Sequence, residues 1–332
     1  MLKFIRIFFL GLFVCYNSTV LAEGLIFYLT PPSYANNNVV FEGNKCIVNN
    51  NLIFENKNEY GFFISQVQHI QGKEEIDSDN NVTLFKDGTY KCDYFGGYAV
   101  TGDLNACDNV VTIQNSHIIG DIYGARATHN ANKNIVNVES GIVGNVYGGN
   151  SSWDGSASNN IVNIYGGKIQ TVFEDGYTVE GRICGGLGNP AHDNQINIYN
   201  YPDLSDAYIV GGLSPASWDS KNNSVNIYTK GIVAKEISWV QKLTFVLPDN
   251  CLNGEAIFSL NTQDDYSCIE EIMVVIPKNN KFNIGDCIYL LNSTNGINKL
   301  NEHIRFIVNS ECNLDGEIFI SQDGKHIILR IK

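Results

Sequence analysis

Positive charge is scarce in this 332-residue chain: 22 Lys and Arg face 35 Asp and Glu, a formal net charge of −13. Removing residues 1–22, read below as a leader, takes away Lys3 and Arg6 and no anion. That leaves 20 cations against 35 anions, a net charge of −15. Such a surface repels phosphate backbones and anionic headgroups, which argues against nucleic acid as a partner. Beyond the N-terminus no apolar run approaches the ~20 residues needed to span a bilayer, so the mature chain is expected to be soluble. No Cys-x-x-Cys pair occurs and the His residues have no ligand spacing, so neither zinc, a redox motif, a metal nor a cofactor is expected. Charged residues are only 17% of the chain, but with 44% hydrophobic residues the composition is that of a folded protein.

The first 22 residues read as a signal peptide. Lys3 and Arg6 form a charged start, Ile7 to Val14 an apolar stretch, and Val20-Leu21-Ala22 a small-residue cleavage site before Glu23. Export is therefore expected, to the cell surface or outside the cell, or alternatively to a periplasm. Eight Cys remain after cleavage. Cys251 with Cys268 and Cys287 with Cys312 can pair locally, and buried free thiols are the other reading.

What is abundant is repetition. A phrase of Asn, any residue, aliphatic, small polar residue, aliphatic begins at Asn80, Asn109, Asn134, Asn160, Asn194 and Asn223, with starts 29, 25, 26, 34 and 29 residues apart. A period near thirty marks a stacked protein whose units bury their apolar sides only against their neighbours. Each copy is rich in β-branched residues with a period of two, so it reads as a strand and the stack as a β-solenoid. Alternation sends Val136/Val138, Val162/Ile164, Ile196/Ile198 and Val225/Ile227 inward and Asn163 outward. The leading Asn residues are expected at a corner, where stacked amides can hydrogen-bond along the axis. A second strand follows each phrase (Ile118 to Tyr123, Ile142 to Tyr147, Val179 to Cys184, Tyr208 to Val210) and ends at a glycine corner such as Tyr147-Gly148-Gly149. No helix or Lys-Ser/Thr signature follows these glycines, so they are not a phosphate loop. The fold class expected is all-β, a parallel β-helix with β-rich caps.

The phrases Tyr94-Phe95-Gly96-Gly97-Tyr98, Asn109-Val110-Val111-Thr112-Ile113 and Asn134 through Gly149 resemble the passenger repeats of bacterial autotransporters, adhesin-like surface proteins of the type V secretion route. Leu243 to Pro248 and Phe282 to Leu291 resemble the β-rich segment that closes such passengers. The resemblance spans roughly residues 80–332. It implies a parallel β-helix, a surface or secreted location, and surface glycans or proteins of host or neighbouring cells as partners. The chain departs from the family in having no translocating barrel after the repeats and in keeping eight Cys. Help from a separate secretion component is therefore expected.

Residues 23–79 are assigned to an N-terminal cap with irregular rungs, 80–239 to the solenoid, and 240–332 to a C-terminal β-rich cap, because an open stack exposes strand edges. About eight extra residues around Phe173 to Thr178 are expected to project as a loop.

The segments before the Asn corners carry Trp153-Asp154 and Trp218-Asp219, together with His129, His192 and Asp193. Stacking brings them to one side, and Trp beside Asp suits a sugar: the indole packs on the pyranose and the carboxylate accepts its hydroxyls. Trp153, Asp154, Trp218 and Asp219 are the candidate binding residues. The alternative is a polysaccharide lyase or glycoside hydrolase built on the outward column Asp93, Asp121, Asn145 and Arg182. Two carboxylates on neighbouring rungs would lie about 5 Å apart, near a retaining glycosidase pair. A polar outward ladder is also what any solvent-facing strand shows, so no catalytic residue is assigned.

Overall fold

The computed structural model describes residues 79–332 except 92, 100–102, 152–154, 175–176, 215–218, 262–267, 298–299, 301 and 313. Before residue 79 it describes the strands Arg6–Phe9, Leu12–Cys15, Leu25–Thr30, Asn38–Glu42, Lys45–Val48, Asn51–Glu55 and Ile64–His69. Only two of these short strands fall within residues 1–22.

The molecule is an all-β parallel solenoid. Its first sheet has twelve strands, ten of them parallel: Asn38–Glu42, Val82–Lys86, Val110–Gln114, Ile135–Val138, Ile161–Ile164, Gln195–Ile198, Ser224–Ile227, Lys242–Val246, Glu271–Ile276 and Arg305–Ser310. The repeat phrases pair in register, Val136 with Val162, Val162 with Ile196, and Ile196 with Val225. The same sheet runs on past residue 239 without a break, and one apolar column continues from Val111 to Ile276. A second parallel sheet carries Tyr94–Ala99, Ser116–Ala127, Gly141–Tyr147, Arg182–Cys184, Tyr208–Val210 and Glu236–Ser238. A third has five strands, of which His326–Ile331 and Gly316–Ile320 run antiparallel at its end. Among the described residues no helix is long and apolar enough to cross a membrane.

Val136, Val138, Val162, Ile164, Ile196, Ile198, Val225 and Ile227 are all fully buried, as alternation requires. The first phrase is corrected by one residue. Val111 pairs with Thr83 and Ile113 with Phe85, so Thr83 and Phe85 face the core, while Val82 is 46% exposed. The corner Asn of that rung is Asn81. Asn80 instead holds φ at +57°, the turn position occupied by Asp108, Lys133, Asn159, Asp193 and Asn222 in later rungs. Short side chains such as Asn and Asp accept the left-handed region most readily, so a double Asn left two registers open in the sequence.

The extra residues after Gln170 are corrected as well. Thr171–Glu174 and Tyr177–Glu180 form an antiparallel hairpin, and Val172 and Val179 bury Ile119 of the second sheet. Val179 therefore belongs to the hairpin, and Gly181, at φ +72°, returns the chain to the sheet at Arg182. Cys251, Cys268, Cys287 and Cys312 are free thiols, so neither local disulfide pairing is made.

Candidate functional site

Three polar columns run along the axis, and each follows from the parallel in-register stack. The corner column is fully internal. Asn109, Asn134, Asn160, Asn194 and Asn223 are entirely buried, and each side-chain amide donates to the oxygen of the next member, down to Gln241. Each Oδ1 also takes the backbone N–H of the preceding corner residue. These groups are saturated, which makes them structural.

The outer face of the first sheet holds a second amide column: Asn163 Nδ2 donates to Asn137, Asn197 to Asn163, and Asn226 to Asn197, at 2.8–2.9 Å. Beside it Tyr165, Tyr199 and Tyr228 stack face to face, centroids 4.9 and 4.5 Å apart. Burial between its neighbours pushes the Tyr199 hydroxyl up to about 12. The sequence signal for this column lies just outside the five-residue phrase, since each Tyr directly follows the last aliphatic of its copy.

The outward column of the second sheet is the one read as the catalytic alternative, and the fold does bring its members together. The backbone N–H of Asp121 donates to Asp93 Oδ1 at 3.0 Å, Asn145 Nδ2 donates to Asp121 Oδ1 at 2.8 Å, and the N–H of Arg182 donates to Asn145 Oδ1 at 2.8 Å. Tyr123 hydroxyl donates to Asp121 Oδ2 at 2.8 Å, and Arg182 Nη2 reaches Glu180 Oε2 at 2.6 Å. Phe95, Tyr123 and Tyr147 stack alongside at 4.8 and 4.6 Å, and the Arg126 guanidinium lies 5.6 Å from the Phe95 ring centre. Burial holds the Asp93 carboxyl above its usual range, opposed by the Asp121 N–H. Burial, with Asp121 next to it, also drives the Tyr123 hydroxyl far up. Each oxygen of Asp121 thus accepts a hydrogen bond from a neighbour along or beside the column.

Of the four candidate binding residues, Trp153, Asp154 and Trp218 lie outside the described residues. Asp219 is described, half-buried beside the short parallel pair Ala191–His192 and Ser220–Lys221. Its Oδ1 receives His192 Nε2 and Lys221 Nζ, both at 2.8 Å, and these partners, Lys221 first, hold the carboxyl below its usual range. His192 and Asp219 lie on neighbouring rungs and meet. His129 lies two rungs from His192, with its carbonyl closed over Gly155 of the rung between. Among the described residues no group of three His, Cys, Asp or Glu is arranged to hold a metal ion.

The fold and these columns define a class, the parallel β-solenoids. No family model, curated protein or solved structure matches the chain.

Proposed function

We propose that this chain is an exported, non-catalytic β-solenoid, an adhesin-like surface protein that resembles an autotransporter passenger and binds glycans. The observation that carries the reading is the Asp219 corner. There an anchored carboxylate, an imidazole and an ammonium gather within hydrogen-bonding reach, and Asp219 directly follows Trp218 in the sequence. Oriented charged donors and acceptors beside aromatic rings are the ordinary means of holding a sugar.

A glycan array probed with the purified chain, run beside a panel of polysaccharides as substrates, tests this. Saturable glycan binding that falls at least tenfold in the Trp153→Ala/Trp218→Ala double variant, without turnover of any polysaccharide, is the expected outcome. Turnover that disappears in Asp121→Asn would replace the proposal with the enzyme reading.

A further inference from the structure

The tyrosine column on the outer face of the first sheet is held by the backbone as well as by its rings. Ile164 pairs with Ile198 and Ile198 with Ile227, and the ladder runs one residue further. Tyr199 N–H donates to Ile164 O at 2.8 Å and Tyr228 N–H to Ile198 O at 2.9 Å. Parallel in-register pairing sends the three side chains the same way, so equivalent ring atoms lie one above another. The planes of Tyr165 and Tyr199 are 14° apart and those of Tyr199 and Tyr228 12° apart. The ortho carbons of Tyr199 thus lie beside their counterparts on both neighbours. Tyr165 is 37% exposed and the other two are half-buried, so solvent reaches the phenols.

Two comparisons within the protein isolate what is special here. Tyr123 and Tyr147 stack as closely, with centroids 4.6 Å and planes 11° apart, but Tyr147 is buried against Cys184 and Val210, and Asp121 holds the Tyr123 hydroxyl. Tyr201 is 57% exposed, yet among the described residues no ring stacks on it. The first pair has a partner without access, and Tyr201 has access without a partner. The outer column combines the two.

We propose that Tyr199 is the centre of an oxidative cross-linking site, where a one-electron oxidant joins it to Tyr228 or Tyr165 by a bond between ortho ring carbons. The oxidant class is a haem peroxidase with hydrogen peroxide. Each phenol gives up one electron and its hydroxyl proton, the two phenoxyl radicals couple carbon to carbon, and the two displaced ortho hydrogens move to the oxygens. The peroxide takes up both electrons and both protons and leaves as two waters, so the chain loses two hydrogens. Such a bond ties consecutive turns of the solenoid and constrains the unfolded chain, as a disulfide would. Cys107, Cys184, Cys251, Cys268, Cys287 and Cys312 are free thiols, so the staple would do what these cysteines do not.

The test treats the dilute full chain, its accessible thiols alkylated, with a haem peroxidase and hydrogen peroxide, and follows dityrosine fluorescence and peptide masses. The expected product runs at the mass of a single chain and contains Tyr199 joined to Tyr228 or Tyr165, with the loss of two hydrogens. Tyr199→Phe keeps a ring in the stack but removes the phenol and leaves Tyr165 and Tyr228 two rungs apart. It should lose this cross-link and most of the single-chain fluorescence, with an unchanged circular dichroism spectrum. Tyr201→Phe should retain both. A parent chain that forms no dityrosine within one chain overturns the proposal, as does one whose cross-links map only to other tyrosines. Single-chain fluorescence that survives Tyr199→Phe, or that vanishes in Tyr201→Phe, overturns it equally, because exposure and not stacking would then select the reacting pair.

Discussion

Asn109 gives two hydrogens to a single oxygen. Its backbone N–H and its side-chain Nδ2 both donate to Oδ1 of Asn134, each at 3.0 Å. The relationship recurs between Asn134 and Asn160, Asn160 and Asn194, and Asn194 and Asn223. One carbonyl oxygen per rung thus satisfies a backbone donor that the turn has removed from the strand ladder, in a region closed to water.

Truncating a member in the middle should accordingly be costly. Asn160→Ala leaves the buried N–H of Asn134 and one of its amide hydrogens without an acceptor, and each orphaned donor costs about 1–3 kcal/mol. A loss of about 2–4 kcal/mol in chemical denaturation is expected. Asn160→Asp should be no better, because it keeps the acceptor but turns a buried anionic oxygen toward Oδ1 of Asn194. A cost below about 1 kcal/mol for Asn160→Ala would mean that the column is ornamental.

The two faces of a rung give the second expectation. Val162 is fully buried, whereas Asn163 faces outward between Asn137 and Asn197. Val162→Ala should cost about 1–3 kcal/mol and Asn163→Ala under about 1 kcal/mol. In the first rung Phe85→Ala should cost about 3–5 kcal/mol and Val82→Thr almost nothing. Thermal or denaturant midpoints of the four variants decide it, and a reversed order within either pair would place the strand in the other register.

Those four residues also show how far the sequence could be read. The faces of the Asn134, Asn160, Asn194 and Asn223 rungs were legible because each phrase has a single Asn before strictly alternating aliphatics. Asn80-Asn81-Val82-Thr83-Leu84-Phe85 was not, because either Asn could begin the strand, and the apolar pair Val82 and Leu84 competes with Thr83 and the larger Phe85 for the inside. Only the turn, with Asn80 at φ +57°, removes the ambiguity. The Thr171–Glu180 hairpin was illegible for a related reason: its apolar residues Val172 and Val179 meet Ile119, which lies more than fifty positions earlier and whose outward burial no local pattern announces. At the site, stacking gave no more than a shared side for His192 and Asp219; their hydrogen bond, and Lys221 as a second partner of the carboxylate, come from the rung pairing of Ala191–His192 with Ser220–Lys221.

Asp93 supplies a pH-dependent test. Burial, reinforced by the neighbouring Asp121 carboxylate, raises its pKa above the ordinary value in the folded state. A carboxyl whose folded pKa exceeds its unfolded one binds its proton more tightly when folded, so it lowers stability as pH rises through that range. Asn at this position keeps the oxygen that accepts the Asp121 N–H and carries no charge. Asp93→Asn is therefore expected to raise the melting midpoint at pH 7, with the gain shrinking as the pH falls through the raised value and vanishing below the ordinary Asp range, where the parent carboxyl is protonated in both states. A midpoint lowered at pH 7 would show that the anion is stabilised by Arg126 more than burial opposes it.

Glycine to alanine separates two physical causes within the same protein. At Gly148 a Cβ would run into the carbonyl oxygen of Gly185 on the next rung and stand 2.7 Å from Asn160 Cβ, so the clash is with backbone and a core ladder residue. Neither can retreat without parting two rungs, and overpacking of this kind costs about 1–3 kcal/mol or more. Gly254 has φ at +82° and nothing within 4 Å of the added carbon. Gly254→Ala meets only the left-handed backbone penalty, about 1–2 kcal/mol, and no clash. Gly148→Ala is thus expected to lower the melting midpoint well below that of Gly254→Ala and to disturb the stack around Asn160, visible as faster amide exchange at Ile161 and Val162. Equal losses in the two variants, with exchange unchanged, would show that rungs yield at the glycine corner and that the close approach there is not what spaces the solenoid.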